Sequence, residues 1–121
     1  ADLLLLLGDR GCIMSAVDAL LYPSFLLGAH GAIAAILTAA PKLCVQLWEA
    51  VENGNYETAR SLHDLLLPIW NAISDDNLPA NVKYVMQLQG RASGKSRLPM
   101  PETNQQQKEI IKRALLSAAL I

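Results

Sequence analysis

The sequence predicts an α/β chain, and three observations carry that prediction. Leu3–Leu7 is an unbroken apolar run closed by Gly8-Asp9-Arg10-Gly11. The stretch Gly28-Ala29-His30-Gly31-Ala32-Ile33-Ala34-Ala35-Ile36 is a glycine-marked break leading into a second short apolar run. A strand without polar alternation has both faces buried, as in a parallel sheet covered by helices. Between the two runs lies a helical stretch, so the opening of the chain reads β-α-β-α. Such a unit is parallel and carries its chemistry at the C-terminal ends of its strands. Two strands cannot close a sheet by themselves.

Taken in order, residues 3 to 7 form the first predicted strand and Gly8 to Gly11 a tight loop. Residues 13 to 27 place Ile13, Val17, Leu20, Leu21, Leu26 and Leu27 at helical spacing, capped by Ser15 or the loop before it. Pro23 must kink or split that helix, and Gly28 stops it. After the second strand, Thr38 is the expected N-cap, and Pro41 falls in the first turn, where its missing N–H is harmless. Leu43, Leu47, Trp48 and Val51 share one face until Asn53-Gly54. The next helix runs from about Tyr56 to Ser74. Ala59, Leu62, Leu66, Ile69 and Ile73 keep the 3.6-residue period, Glu57, Arg60 and Asp64 lie opposite, and Pro68 predicts a kink. Asp75–Pro79 is a turn, and Pro79 starts a helix that ends at Gly90. Residues 91 to 101 are an extended loop. Thr103 caps a last helix whose core side is Ile110, Ile111, Ala114, Leu115 and Ala118.

The chain has 121 residues, enough for one domain with a modest core. Its hydrophobic fraction of 52% is high and its charged fraction of 17% is low for a lone small domain. The excess predicts surface covered by a partner subunit, by more of a longer chain, or by a membrane. A net charge of −1 with scattered Lys and Arg excludes a nucleic-acid surface. Cys12 and Cys44 are isolated and read as reduced thiols of a cytoplasmic protein. No charged leader segment is visible. Residues 19 to 41 carry no charge, but Pro23, Gly28, His30 and Gly31 cut them into pieces too short to cross a bilayer.

General acid–base chemistry needs paired carboxylates or a histidine against one. Glu49, Glu52, Glu57 and Asp64 instead read as solvated helix faces. His63 lies within a helix. His30 enters the second strand at its N-terminal end, the structural side of such sheets. No nucleophile triad, phosphate loop or metal-ligand spacing appears. Gly8-Asp9-Arg10-Gly11 is the candidate site, because it follows a predicted buried strand and its glycines let backbone approach a ligand.

Taken together, these segments resemble the C-terminal part of the dihydrodipicolinate synthase / N-acetylneuraminate lyase family. The residues that carry the resemblance are Leu4-Leu5-Leu6-Leu7-Gly8-Asp9 and Leu27-Gly28-Ala29-His30-Gly31-Ala32-Ile33. It continues through Gly54-Asn55-Tyr56-Glu57-Thr58-Ala59-Arg60, Leu67-Pro68-Ile69, Asn81-Val82-Lys83-Tyr84, Gly90 and Arg97-Leu98-Pro99-Met100-Pro101. The resemblance implies the last two strands of a TIM (β/α)8 barrel in residues 1–53. Residues 54–121 would then be a three-helix C-terminal extension. It implies a lyase or aldolase that condenses or cleaves pyruvate or another 2-keto acid through a lysine Schiff base.

In that family the lysine lies on the sixth strand and a proton-transferring tyrosine on the fifth, both upstream of Ala1. Lys42, Lys83, Lys108 and Lys112 fall on helices and Lys95 in a loop, so none replaces it. The resemblance therefore assigns no catalytic residue to this chain. Substrate-binding roles carry over to Gly8, Asp9, Arg10, Ile33 and Ala35. Arg10 after Asp9, where sialic-acid lyases have two acids, and Ala35, where sugar-acid members have serine, argue against a sialic-acid-type substrate. No cofactor or metal is implied. The implied partners are the 2-keto acid, the remainder of the barrel and further copies of the same polypeptide, without nucleic acid or membrane.

Two other readings use the same residues. A small helical interaction module predicts a self-contained core with no exposed apolar strand edge. A barrel kept only as a scaffold is decided by upstream sequence. The barrel reading rests on Leu3–Leu7 and Ile33–Ile36 being neighbouring parallel strands; both runs as helices, or paired antiparallel in a closed small domain, collapse the aldolase reading.

Overall fold

A computed structural model describes all 121 residues. In chain order the elements are α1 (Asp2–Leu7), β1 (Met14–Ser15), α2 (Leu21–Leu26), β2 (Gly31–Ala32), α3 (Ile36–Ala39), α4 (Pro41–Glu52), α5 (Tyr56–Ile73), α6 (Leu78–Leu88) and α7 (Gln105–Ser117). Short 3-10 turns occupy Gly8–Arg10 and Asp18–Leu20. The molecule is therefore helix-rich with one parallel two-stranded pair, in which Met14 opposes Gly31 and Ser15 opposes Ala32.

That pair corrects the predicted strands. Leu3–Leu7 is helical, with the Leu5 N–H donating to the Ala1 carbonyl at 3.1 Å. Leucine is a strong helix former, and the run holds no β-branched residue. A helix closes its hydrogen bonds within itself, whereas a strand needs a neighbour. The parallel neighbour of the second strand is Met14–Ser15, inside the stretch predicted as helix. The second strand is also displaced: it ends at Ala32, and Ile36 already begins α3. The barrel reading thus loses Leu3–Leu7 as a strand and keeps a parallel pair at different residues.

Pro23 explains how the 13–27 stretch divides. α2 begins at Leu21, so Pro23 is its third residue, where an N–H has no intrahelical acceptor. The end of the Met14 side chain packs over Gly31, where an added Cβ would lie 2.8 Å from Met14 Cε and displace that flexible chain.

The helical remainder follows the expected periodicity with local corrections at the caps. Pro41 opens α4, but Thr38 lies inside α3 and Ala40 precedes the helix instead. Asn55 caps α5 by accepting from the Thr58 N–H at 3.2 Å. Pro68 sits inside α5 without ending it. Asn104, not Thr103, caps α7, in a capping box with Gln107. Thr103 is buried instead.

One hydrophobic core runs from Leu21 and Phe25 through Ile36, Leu47, Ile69 and Val85 to Ile111 and Leu115. It joins residues on both sides of the 53/54 division. Polar contacts lock its ends. Asn77 and Gln107 exchange amide hydrogen bonds at 3.0 and 2.8 Å, and Asn81 Nδ2 donates to the Ile73 carbonyl at 3.0 Å. The Arg91 guanidinium reaches the Thr38 carbonyl, and Gln89 Nε2 donates to the Ala39 carbonyl at 3.0 Å. These two side chains at the end of α6 satisfy the C-terminal carbonyls of α3. No helix is long and apolar enough to cross a membrane.

Candidate functional site

Parallel strands deliver their following loops to one edge, and here β1 and β2 run side by side. The loop after β1 is Ala16–Val17, leading into the 3-10 turn Asp18–Leu20; the loop after β2 is Ile33–Ala35. Two hydrogen bonds bind these loops together. The Ile33 N–H donates to the Ser15 carbonyl at 2.8 Å, and the Ile36 N–H donates to Asp18 Oδ1 at 2.7 Å. The N–H groups of Ala34 and Ala35 have no acceptor within the chain. Ile33 is 73% exposed, although it is a large apolar side chain beside a sheet.

The five sequence-predicted contacts fall in two stretches, one before β1 and one after β2. Ile33 and Ala35, expected within the second strand, lie in the loop leaving β2. Gly8, Asp9 and Arg10 were placed on the premise that a strand precedes them. With Leu3–Leu7 helical, they form an exposed turn on the way into β1, before the strand and not after it. Arg10 folds back on α1, donating from Nε to Leu7 O at 3.2 Å and from Nη2 to Leu6 O at 2.6 Å. A cation there complements the carbonyl end of a helix. A Cβ added at Gly8 would meet nothing within 4 Å, so its glycine serves a positive φ of 50° and not a close contact.

Sequence reasoning missed Ala16, Val17 and Asp18. The signal was present in Pro23: a proline tolerated in a first turn places the helix start just before it, leaving Ile13–Val17 free to be extended.

His30 has the structural role expected of it. It precedes β2, its N–H donates to Ile13 O at 2.8 Å, and its Nδ1 accepts from the Ile13 N–H at 3.1 Å. On the flank of β2, a cavity of about 320 Å³ opens between α2 and α4, lined by Leu21, Phe25, His30, Cys44, Val45 and Trp48 among others. It holds no charged group and none of the five predicted contacts. Cys44 on its wall is inert: burial pushes its thiol up to about 12, and the negative charge of Asp18 adds to the effect.

None of the lysines is built for imine chemistry, which needs an amine deprotonated by burial or by a neighbouring cation. Lys42 and Lys112 are exposed on helices. Lys83, Lys95 and Lys108 line a polar depression of about 190 Å³ against α6 and α7. There Lys83 Nζ donates to Lys95 O at 2.7 Å, Lys95 Nζ lies 3.0 Å from Glu102 Oε1, and Lys108 Nζ stands 5.7 Å over the Tyr84 ring. No group of three or more His, Cys, Asp or Glu side chains comes together as a metal site.

A sequence model of the dihydrodipicolinate synthetase family matches residues 2–118. The 4-hydroxy-tetrahydrodipicolinate synthase of Archaeoglobus fulgidus is 37% identical over 113 residues, covering 93% of this chain and 39% of that enzyme. The enzyme of the same name from Methanopyrus kandleri is 36% identical over 113 residues, covering 93% of this chain and 38% of its own length. A crystal structure of dihydrodipicolinate synthase superposes with a TM-score of 0.84 at 30% identity, over 97% of this chain and 41% of that one. These structural neighbours are TIM-barrel proteins, and the chain spans about 40% of their length. By the extent of the family match and the identity to these synthases, the chain belongs to the dihydrodipicolinate synthetase family.

Proposed function

We propose that this chain is the C-terminal part of a pyruvate-dependent class I aldolase or synthase, whose Schiff-base lysine and proton-transferring tyrosine lie upstream of Ala1. In this reading residues 1–53 complete a (β/α)8 barrel and residues 54–121 are its helical extension. The assembled enzyme is a cytoplasmic homo-oligomer that condenses or cleaves a 2-keto acid. The observation that carries the reading is the parallel β1–β2 pair, whose following loops meet at one edge. The likeness to named synthases supports the reaction class.

The chain's share of the chemistry is the wall of the pocket. In this reading Ile33 and Ala35 contact the substrate, and the N–H groups of Ala34 and Ala35, without a backbone acceptor, lie in the same loop. The role first given to Gly8, Asp9 and Arg10 passes to Ala16 and Val17, which follow the strand actually formed. The upstream amine attacks the ketone carbon, water leaves, and the resulting imine acts as an electron sink.

Borohydride reduction in the presence of pyruvate tests this reading on the complete polypeptide and on the 121-residue chain. A reduced adduct is expected only on the complete polypeptide, on a lysine upstream of Ala1. An adduct on Lys42, Lys83, Lys95, Lys108 or Lys112 overturns it, and no adduct on the complete polypeptide favours a scaffold barrel.

A further inference from the structure

The loop after β2 has no regular structure of its own, yet it is tied at both ends by a single four-residue stretch. Ser15 O holds the Ile33 N–H at 2.8 Å and Asp18 Oδ1 holds the Ile36 N–H at 2.7 Å. Three residues reach at most about 10 Å when extended, so ties on both flanks leave Ile33–Ala35 few alternative paths. The Ser15 tie is backbone and belongs to the strand ladder. The Asp18 tie is a side chain, half-buried, crossing from the 3-10 turn after β1 to the first residue of α3.

Asp18 is not spent on an ion pair. The salt bridges of this chain are Arg60–Asp64 and Lys95–Glu102, both elsewhere. Nor does it serve a long helix, since α3 has four residues and is already held at its other end by Gln89 and Arg91. Its oxygen lies 2.7 Å from the Ile36 nitrogen, at the end of the loop that the reading above takes as pocket wall.

We propose that Asp18 is a positioning residue for 2-keto-acid binding, acting through the Ile36 N–H to hold Ile33–Ala35 in register with the end of β1. This rests on the reading of those residues as the pocket wall. What matters is where the acceptor oxygen lies, not the charge it carries.

Two substitutions in the complete polypeptide separate position from charge. Asp18→Asn keeps an oxygen in place and removes the charge; Asp18→Glu keeps the charge and moves the oxygen by one methylene. Misplacing a contact by about 1 Å costs up to about a hundredfold, so Asp18→Glu is expected to raise the KM for pyruvate at least about tenfold, while Asp18→Asn stays within about threefold. Hydrogen exchange of the Ile36 amide reads the bond independently of activity, and is expected to speed up at least about tenfold in Asp18→Glu but not in Asp18→Asn. Wild-type KM in both variants, or Asn impaired and Glu not, overturns the proposal. If wild-type protein traps no pyruvate, the pocket reading has failed; if it traps pyruvate and the variants rank the other way, Asp18 alone has failed.

Discussion

Residues 1–35 are richer in apolar side chains than residues 36–121, yet bury far fewer of them. In the first region only Leu21, Phe25 and Ala29 are buried, while Leu3, Leu5, Leu6, Met14, Val17, Leu20, Leu26, Leu27 and Ile33 are exposed, Leu5 to 86%. In the second, Ile36, Leu47, Ile69, Ile73, Val85, Ile111 and Leu115 are almost completely buried. An amphipathic helix needs one partner face, and the helices from α4 to α7 supply one another. A parallel strand needs a neighbour on each edge and a layer on each face, which β1 and β2 do not find within this chain. Apolar patches of this kind mark surfaces that something else covers. One region buries its apolar side chains within the chain and the other leaves most of them exposed.

Three measurements on the 121-residue chain break or sharpen that contrast. The largest effect is expected in the core. Ile69→Ala removes a side chain that is 1% exposed and should cost about 2–5 kcal/mol of unfolding free energy, against about 0.5 kcal/mol or less for Leu5→Ala. Equal losses in urea titrations break the comparison, because they require Leu5 to be packed.

A smaller effect is expected where the second region is held by polar groups. Gln107 donates to Asp75 Oδ2 at 2.7 Å, pairs with the buried Asn77, and completes the cap of α7. Gln107→Ala removes a donor and an acceptor from the Asn77 amide, which keeps only the Glu102 carbonyl and Asn81 as partners, and should cost about 1–3 kcal/mol, with faster amide exchange confined to the starts of α6 and α7. A loss shared by the whole helical region instead shows that its helices unfold as one unit.

The smallest perturbation leaves stability alone and reads exposure. Cys12 in the first region is exposed, whereas Cys44 is buried and its thiol is raised to about 12. A folded-state value raised above the ordinary one means that the thiolate is scarce across the neutral range. Alkylation near neutral pH should therefore mark Cys12 and spare Cys44 until denaturant is added. Labelling of both at similar rates without denaturant places α4 on the unpacked side of the contrast.

How much was legible in the sequence follows the same division. Pro41 at the start of α4, Asn53-Gly54 at its end, and the spacing of Ala59, Leu66, Ile69 and Ile73 on α5 were readable because helix periodicity and helix ends are local properties. Thr103 was mistaken for a cap that Asn104 performs; both residue types cap well, and the choice fell to burial of the threonine and pairing of Asn104 with Gln107. Of the site, Ile33 and Ala35 were expected within the second strand and lie in the loop after it. Gly8, Asp9 and Arg10 were located by a strand that did not form there, and Asp18 passed unnoticed because its partner lies 18 residues away.

By itself the sequence determined the order and register of the helices from Pro41 onward, and enough ordered residues to place the chain in its family, because those depend on neighbours within a few positions. Only the tertiary structure decided that Leu3–Leu7 is helical, that Met14–Ser15 is the strand beside Gly31–Ala32, and that Asp18 holds the start of α3. Those outcomes turn on which distant backbone group is free to accept a hydrogen bond, and an apolar run carries no record of that.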